Sequence, residues 1–420
     1  MQICIFEDIN VYKLNPLVYP RPVYDLFAGT SSLKDKILSA YPNTSFTLHC
    51  RPYLEGVVKQ NNPNASVNSI ESDECLFING RLIAPPNLNE IIPLVSGVDK
   101  IYVNGETVIA ARVSGKKLSY LKNFKRDLFE LSHFEGLPIE LVNIKTAQYP
   151  WELITANGKL INEEFEKLKF SGKENYFAYK LYDGAHLIEN ENIIIGAGSK
   201  IKPGAVLDAS NGSIIIQEEV DISPNAVIEG PAFIGKKSKV KSGAYIYENV
   251  SIGHTCKVGG EIEESIFMPY SNKQHSGFIG HSYLGSWVNL GANTNCSDLK
   301  NNYSKVTVKI NNEPVDTGLQ FVGLIIGDHS KTGINTMLNT GTIAGFCSNL
   351  FGAGFPAKFI PSFSWGGGDS FVEYEISKAI ETAKIVCKRR NVTLTSTDEI
   401  MIRKVFDLTA QERINLKVKV

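Results

Sequence analysis

Ile216, Ile222, Ile228, Ile234, Val240, Ile246, Ile252 and Val258 recur at an unbroken spacing of six. Ile195, Ile201 and Leu207 begin the same beat before a three-residue slip. A helix repeats its buried face about every 3.6 residues and a strand about every 2, so neither alone explains the pattern. A period of six marks a parallel β-helix, in which each hexad is one short side of a coil. The branched side chain, stiff at χ1, points into a narrow core. Gly, Asn, Asp and Pro turn the corners, as in "IGAGSKIKPGAV", "ISPNAV" and "IGKKSKVKSGAY". The beat is interrupted at 259–277, resumes in "IGHSY", "LGSWVN" and "LGANTN", and lapses through the insertion "CSDLKNNYSKVTVKINNEPVDTG". It returns in "LIIGDHSKTGINTMLNTGTIAG". Excursions from a repeat scaffold often carry function, and the charged and amide side chains of this one are expected beside His275.

Residues 1–150 carry no such beat. "ICIF", "SFTLHC", "CLFIN" and "KIYVNG" read as short buried strands separated by helical stretches such as 31–40, which predicts an α/β domain with a mainly parallel sheet. Residues 151–192 read as a helical connector, 193–368 as the β-helix, and 369–420 as carboxyl-terminal helices. Two of those, over 369–390 and 397–413, have spaced apolar residues in a charged background. "GFPAKFIPSFSWGGG" is expected to cap the last coil. A chain of 420 residues is long enough for at least two cores.

The formal net charge of −1 gives no electrostatic footprint for nucleic acid or an anionic membrane, although a few placed Lys or Arg residues suffice for a small anion. "MQICIFEDIN" reads as a buried strand, not a signal peptide. Nowhere is there the run of about 18 apolar residues that a membrane span needs. The seven cysteines are scattered, odd in number and free of CxxC spacing, which fits reduced buried thiols in a cytoplasm.

With "FED" and "NPLVYPRP" near the start, "FINGRL" at 77–82, "PWELI" at 150–154 and "HSGFIGHSYLGSWVNLGANTNCSDLKNN" at 275–302, the chain resembles a known family over essentially its full length. These are the bifunctional enzymes that make UDP-N-acetylglucosamine, joining a glucosamine-1-phosphate acetyltransferase to an N-acetylglucosamine-1-phosphate uridylyltransferase. The chain is more closely similar to a variant branch of sugar nucleotidyltransferases. The resemblance implies a Rossmann-like α/β head and a left-handed β-helix with three hexads per coil. It also implies a homotrimer whose acetyltransferase sites lie between subunits. The implied substrates are a sugar phosphate, UTP and acetyl-CoA, with Mg2+ for nucleotidyl transfer.

In that family an H-x-x-aromatic-aliphatic-Gly segment supplies the base that helps the sugar amine attack the thioester. The matching segment is His275-Ser276-Gly277-Phe278-Ile279-Gly280. The chemistry needs a neutral imidazole within hydrogen-bond reach of an amine, with backbone N–H groups for the oxyanion. The resemblance makes His275 the base, whereas His281 directly follows a corner glycine, where a polar side chain is expected anyway. It also places Asn289 at the acceptor sugar and Ala292, with Gly333, along the CoA, while Lys273, two residues before the base, is expected either at the sugar phosphate or in solvent. Phe278 stands where the family has a sugar-binding Tyr, which removes a hydroxyl donor and leaves another aminosugar phosphate open as acceptor.

The uridylyltransferases open with a Gly-rich loop after the first strand, then an Arg and a Lys, to cradle the triphosphate. This chain has no Gly between Met1 and Ala28. Arg21 is the cation expected to replace the catalytic Lys, and Asn79 with Arg81 stands where the family has a Mg2+-holding Asp. Two accounts stay open. Either Glu7, Asp8, Arg21, Asn79 and Arg81 serve nucleotide and metal, or this domain has lost transfer activity. A single-activity enzyme, or a β-helix trimerisation scaffold with a sugar-nucleotide-binding head, are the alternatives to a bifunctional enzyme. A zinc site needs converging imidazoles, and His254, His275, His281 and His329 are not spaced for one.

Overall fold

The computed structural model describes residues 1–95, 97–124, 128–170, 178–368, 370–415 and 418. The head is built on β1 (Gln2–Phe6), whose residues are buried on both faces. It is followed by α1 (Leu33–Ser39), β2 (Phe46–Leu48), α2 (Glu55–Asn61), β3 (Ser66–Val67) and β4 (Glu74–Asn79). Then come β5 (Lys100–Asn104), β6 (Thr107–Ser114) and β7 (Ile139–Leu141), which complete one sheet of order β3-β2-β1-β4-β6-β5-β7. The first four strands run parallel, and the β4–β6 and β6–β5 pairs are antiparallel. A capping box starts α1: Ser32 Oγ accepts from Asp35 N at 3.1 Å while Asp35 accepts from Ser32 N at 3.4 Å.

The long connector helix α3 (Pro150–Phe170) ends the head. Glu164 on α3 takes Thr30 N at 2.7 Å and Lys36 Nζ at 2.5 Å, so this helix is bolted to α1. The coil then opens at Lys180–Leu181 and His186–Ile188, earlier than the expected Ile193. These first strands pair in register with Lys200–Ile201 and Val206–Asp208, but they have no isoleucine beat to announce them.

Three stacked parallel sheets make the three faces of the coil. On the first face the inward position is held in turn by Ile201, Ile222, Val240 and Val258. Buried serines close one row of corners. Ser238, for example, donates to Gly253 O at 2.8 Å and accepts from Cys256 N at 2.9 Å, which satisfies backbone groups that water cannot reach. The beat expected to break at 259–277 breaks only in the sequence. Glu261–Glu263, Ile266–Phe267 and Asn272–Lys273 continue the three faces, with shorter corners and with a lysine at the next inward position of the first face.

The polar insertion does not gather at His275. It forms a hairpin, Thr307–Ile310 with Glu313–Asp316, that reaches back to the head. Val306, Val308 and Ile310 pack there with Val11, Leu14 and Leu17, and Asn311 Nδ2 donates to Tyr12 O at 3.0 Å. Head and coil are further joined by Tyr283, whose hydroxyl donates to Phe27 O at 2.7 Å, and by Ser251 Oγ donating to Gly29 O at 2.6 Å. "GFPAKFIPSFSWGGG" supplies strands as well as a cap, since Phe359–Ile360 and Ser364–Gly366 extend the third and first faces. The carboxyl-terminal helices are three: α4 (Ile376–Lys388), α5 (Ser396–Leu408) and α6 (Ala410–Asn415). Ala379, Ile380, Met401 and Ile402 bury against both the head and Phe346 and Phe363 of the coil. Among the described residues no helix is long and apolar enough to cross a membrane, and all seven cysteines are free and buried.

His329 lies where head, coil and helices meet. Its ring stacks on Trp287 at 6.0 Å and meets the Phe346 ring edge-on. Burial, then the charges of Lys331 and Arg21, push its pKa down to about 3. An unfolded histidine titrates near 6.5, so below that pH the unfolded state binds the extra proton and the folded state does not. Stability is therefore lost as pH falls from about 6.5 towards about 3, at up to about 1.4 kcal/mol per pH unit. Urea midpoints at pH 6.5 and pH 5 should show an acid loss about 2 kcal/mol smaller in His329→Gln than in the wild type. Equal losses in the two proteins would mean that another group titrates.

Candidate functional site

His275 sits at the corner between the first and second faces, exposed, and its imidazole makes no hydrogen bond among the described residues. The corner is backbone-rich. Gly277 has φ +111°, and a Cβ there would lie 2.2 Å from Thr294 O, so only glycine lets the His275 coil settle on the next one. Below His275 the corner is continued by Asn293 and Asn335. Asn293 N donates to Ser276 O at 3.0 Å, and Asn293 Nδ2 to Asn335 Oδ1 at 2.9 Å.

Ala292 and Gly333 belong to these same two lower turns. Asn335 N donates to Ala292 O at 2.8 Å, and a Cβ on Gly291 would come within 2.4 Å of Gly333 O. The structure thus brings His275, Ala292 and Gly333 to one corner of three successive coils. Asn289 is exposed on the adjoining first face, bridged between Asn272 and Lys331. Phe278 starts the second face, with its N–H held by Asn295 Oδ1 at 2.8 Å. Its ring lies over Gly280, where a Cβ would meet it at 2.6 Å, so the ring runs along the face.

Lys273, expected at the sugar phosphate, faces the other way. It is 1% exposed, and Nζ donates to Gly259 O at 2.9 Å and to His275 O at 2.8 Å. Positive charge collects instead on the outside of the first face, one coil above. Burial, then Arg390, Lys241, Arg389 and Lys239, push the Lys257 ammonium down. The sequence held a signal for this patch in "KVK" at 239–241, whose two lysines flank the inward Val240, Lys239 being also paired with Asp221 at 3.2 Å. His281 lies at the next corner with Nδ1 2.8 Å from Asp298 Oδ2 and its ring stacked on Phe321. It is anchored, and His275 is free.

In the head, β1 and β4 are neighbours, and the strands that follow β1 lie to one side of it while β4 lies to the other. The crevice outside their carboxyl ends is where open α/β sheets bind ligands. Here it is filled with ion pairs. Glu7, 0% exposed, accepts from Arg51 Nε at 3.1 Å, Arg51 NH2 at 3.1 Å, Arg51 N at 3.0 Å and Val23 N at 2.9 Å. Asp8 accepts from Arg81 Nε at 2.8 Å and from Asn79 Nδ2 at 2.9 Å. Arg21 turns away from both to pair with Asp328 of the coil, NH1 to Oδ1 at 2.9 Å. Glu7, Asp8, Asn79 and Arg81 are therefore together, and Arg21 is apart. Arg51 and Asp328 are the partners that local reading missed, since each lies dozens or hundreds of residues from the group it neutralises. Beside Arg51 a cavity of about 380 Å³ is lined by Tyr12, Tyr19, Tyr53 and Asn311.

A family model described as sugar nucleotidyl transferase matches residues 3–171. A bifunctional sugar-1-phosphate nucleotidylyltransferase/acetyltransferase of Sulfurisphaera tokodaii is 30% identical over 307 residues, which is 67% of this chain and 74% of that protein. Bifunctional GlmU proteins of Methanococcus maripaludis and Methanococcus aeolicus are 32% and 31% identical, over 49% and 54% of this chain. The chain spans only 42% and 51% of those two proteins. An α/β head matching the sugar nucleotidyl transferase model, a parallel β-helix and a relative similar along most of its length lead to one assignment. The chain belongs to the family of bifunctional sugar-1-phosphate nucleotidylyltransferase/acetyltransferases.

Proposed function

We propose that the coil transfers an acetyl group from acetyl-CoA to the amine of a hexosamine-1-phosphate, and that the head transfers a uridylyl group from UTP to the acetylated product. The carrying observation is the His275 corner: an exposed, unpaired imidazole above bare backbone at Gly291, Ala292 and Gly333. The amine nitrogen attacks the thioester carbonyl, a C–N bond forms, and the C–S bond breaks to release CoA. His275 takes the amine proton as that bond forms. The charge of Lys241, Lys257 and Arg390 on the first face favours a phosphate-bearing acceptor over a neutral sugar.

Asn289 on that face is assigned to the acceptor, and Ala292 and Gly333 to the extended CoA arm. Ile334 at 74% exposure and Met337 at 41%, beside the same corner, are assigned to contact with neighbouring subunits of a trimer. The trimer would close over His275. A cytoplasmic setting agrees with seven buried free thiols.

In the head, Mg2+ would serve by neutralising the triphosphate. Glu7 and Asp8 do not fit as its ligands, because Arg51 and Arg81 already occupy their oxygens. No cluster of three metal-binding side chains stands elsewhere among the described residues. The ion would be carried on phosphate oxygens, as Mg2+ commonly is. The same ion pairs favour a second reading, in which the head binds a nucleotide, at the tyrosine-lined cavity beside Arg51, without transferring it.

Purified protein given acetyl-CoA and glucosamine-1-phosphate is expected to release free thiol only when the sugar is present. Given UTP and N-acetylglucosamine-1-phosphate, it is expected to release pyrophosphate. Absence of sugar-dependent thiol release would overturn the coil's assignment. Thiol release without pyrophosphate, alongside measurable UTP binding, would select the second reading of the head.

A further inference from the structure

We propose that Lys273 is a positioning residue for acetyl transfer: its ammonium, buried inside the coil, clamps the main chain of His275 so that the imidazole is presented at the corner. The inference rests on His275 being the base. Lys273 pairs with Val258 in the first-face ladder, at the inward position that Ile201, Ile222 and Val240 hold in the coils above. Those coils close without a polar group there, so the fold does not ask for a lysine. An ammonium among branched aliphatic residues is unfavourable unless something compensates it. No carboxylate forms an ion pair with this one among the described residues. Burial pushes its pKa down to about 8, with Glu261 as the charged group that opposes the shift.

What Lys273 provides is two hydrogen bonds that a valine cannot make. Nζ holds the Gly259 carbonyl of the coil above and the His275 carbonyl of its own coil, which ties the two turns together. The upper turn leaves room for this. Gly260 has φ +71°, and a Cβ there would lie 2.6 Å from Nζ. The two following carbonyls are also held: Ser276 O by Asn293 N at 3.0 Å and Gly277 O by Glu261 N at 3.0 Å. Three successive carbonyls are thus pinned, and Lys273 supplies the one that belongs to the base itself. Only the side-chain torsions of His275 remain free. A reacting group displaced by about 1 Å can lose about 100-fold in rate, so holding this peptide matters more to turnover than to stability.

The test is Lys273→Met, which keeps an unbranched apolar stem one atom shorter than lysine and removes every donor. Its thermal midpoint is expected to equal or exceed that of the wild type. Its kcat should fall by about 10- to 100-fold, with KM for acetyl-CoA changed less than about twofold. A second readout does not depend on catalysis: the nitrogen-15 signals of the His275 imidazole, identified by their loss in His275→Gln, should move in Lys273→Met while those of His281 stay. A stable variant with unmoved His275 signals and unchanged kcat overturns the clamp. If the wild type shows no sugar-dependent transfer, the base assignment fails, and the imidazole signals alone decide whether the clamp exists. Should Lys273→Met not fold, Lys273→Ile is measured, since isoleucine holds this position three and four coils above, at Ile222 and Ile201. Failure of both variants to fold would make Lys273 a structural support and overturn the proposal.

Discussion

His275→Ala is expected to lower sugar-dependent acetyl transfer by about 100- to 10,000-fold, the range that a positioned general base contributes. The side chain is exposed and makes no hydrogen bond among the described residues, so the thermal midpoint should move little. KM for acetyl-CoA should hardly change, because the arm of that substrate is assigned to the Ala292 and Gly333 turns. His281→Ala is the matched control. It removes the hydrogen bond to Asp298 and the stack on Phe321, so it should lower stability slightly and leave kcat near the wild type. Steady-state thiol release and a thermal melt on the two variants check both statements. Transfer lost in His281→Ala and kept in His275→Ala would move the base to the other corner.

Glu7→Gln is expected to destabilise the head by about 3 to 5 kcal/mol, the cost of leaving a buried charge without its partner. Arg51 is 3% exposed, and both Glu7 oxygens meet it. Its NH2 also donates to Val18 O and Arg21 O, each at 2.8 Å, so the guanidinium cannot swing out to water without releasing the loop after β1. The amide of glutamine keeps one acceptor and loses the charge. Urea unfolding should show a midpoint far below that of the wild type. Any loss of pyrophosphate release in this variant should follow the loss of folded protein. A variant with wild-type stability and no nucleotidyl transfer would instead make Glu7 a ligand of nucleotide or metal.

Both variants probe residues singled out for chemistry by their place in the chain, and the outcomes differ because of what surrounds them. At His275 the sequence was informative, since glycines and asparagines around it mark a corner, and a corner side chain faces out. At Lys273 the same reading failed. A lysine two residues before a base suggests a solvated cation, and only the pairing with Val258 shows that it occupies an inward position. The missing branched residue there also disguised a continuous coil as an interruption. Glu7, Asp8 and Arg81 stand just past the carboxyl ends of β1 and β4, and their state of pairing was not legible in the sequence. The partners stand far along the chain: Arg51 is 44 residues from Glu7, and Asp328 is 307 from Arg21.

The hexad ladder is thus the property that the sequence by itself determined. Repetition is local: each branched residue selects an inward position, and eight such positions at one unbroken period admit no helix or flat sheet. The strands of the head were legible for a similar reason, as short apolar runs between turns. Tertiary structure decided where the arm at 307–316 docks, which way Lys273 points and which carboxylate neutralises each arginine. Those outcomes depend on which surfaces meet after the elements form. Periodicity records which side of an element is buried and carries no mark of what is buried against it.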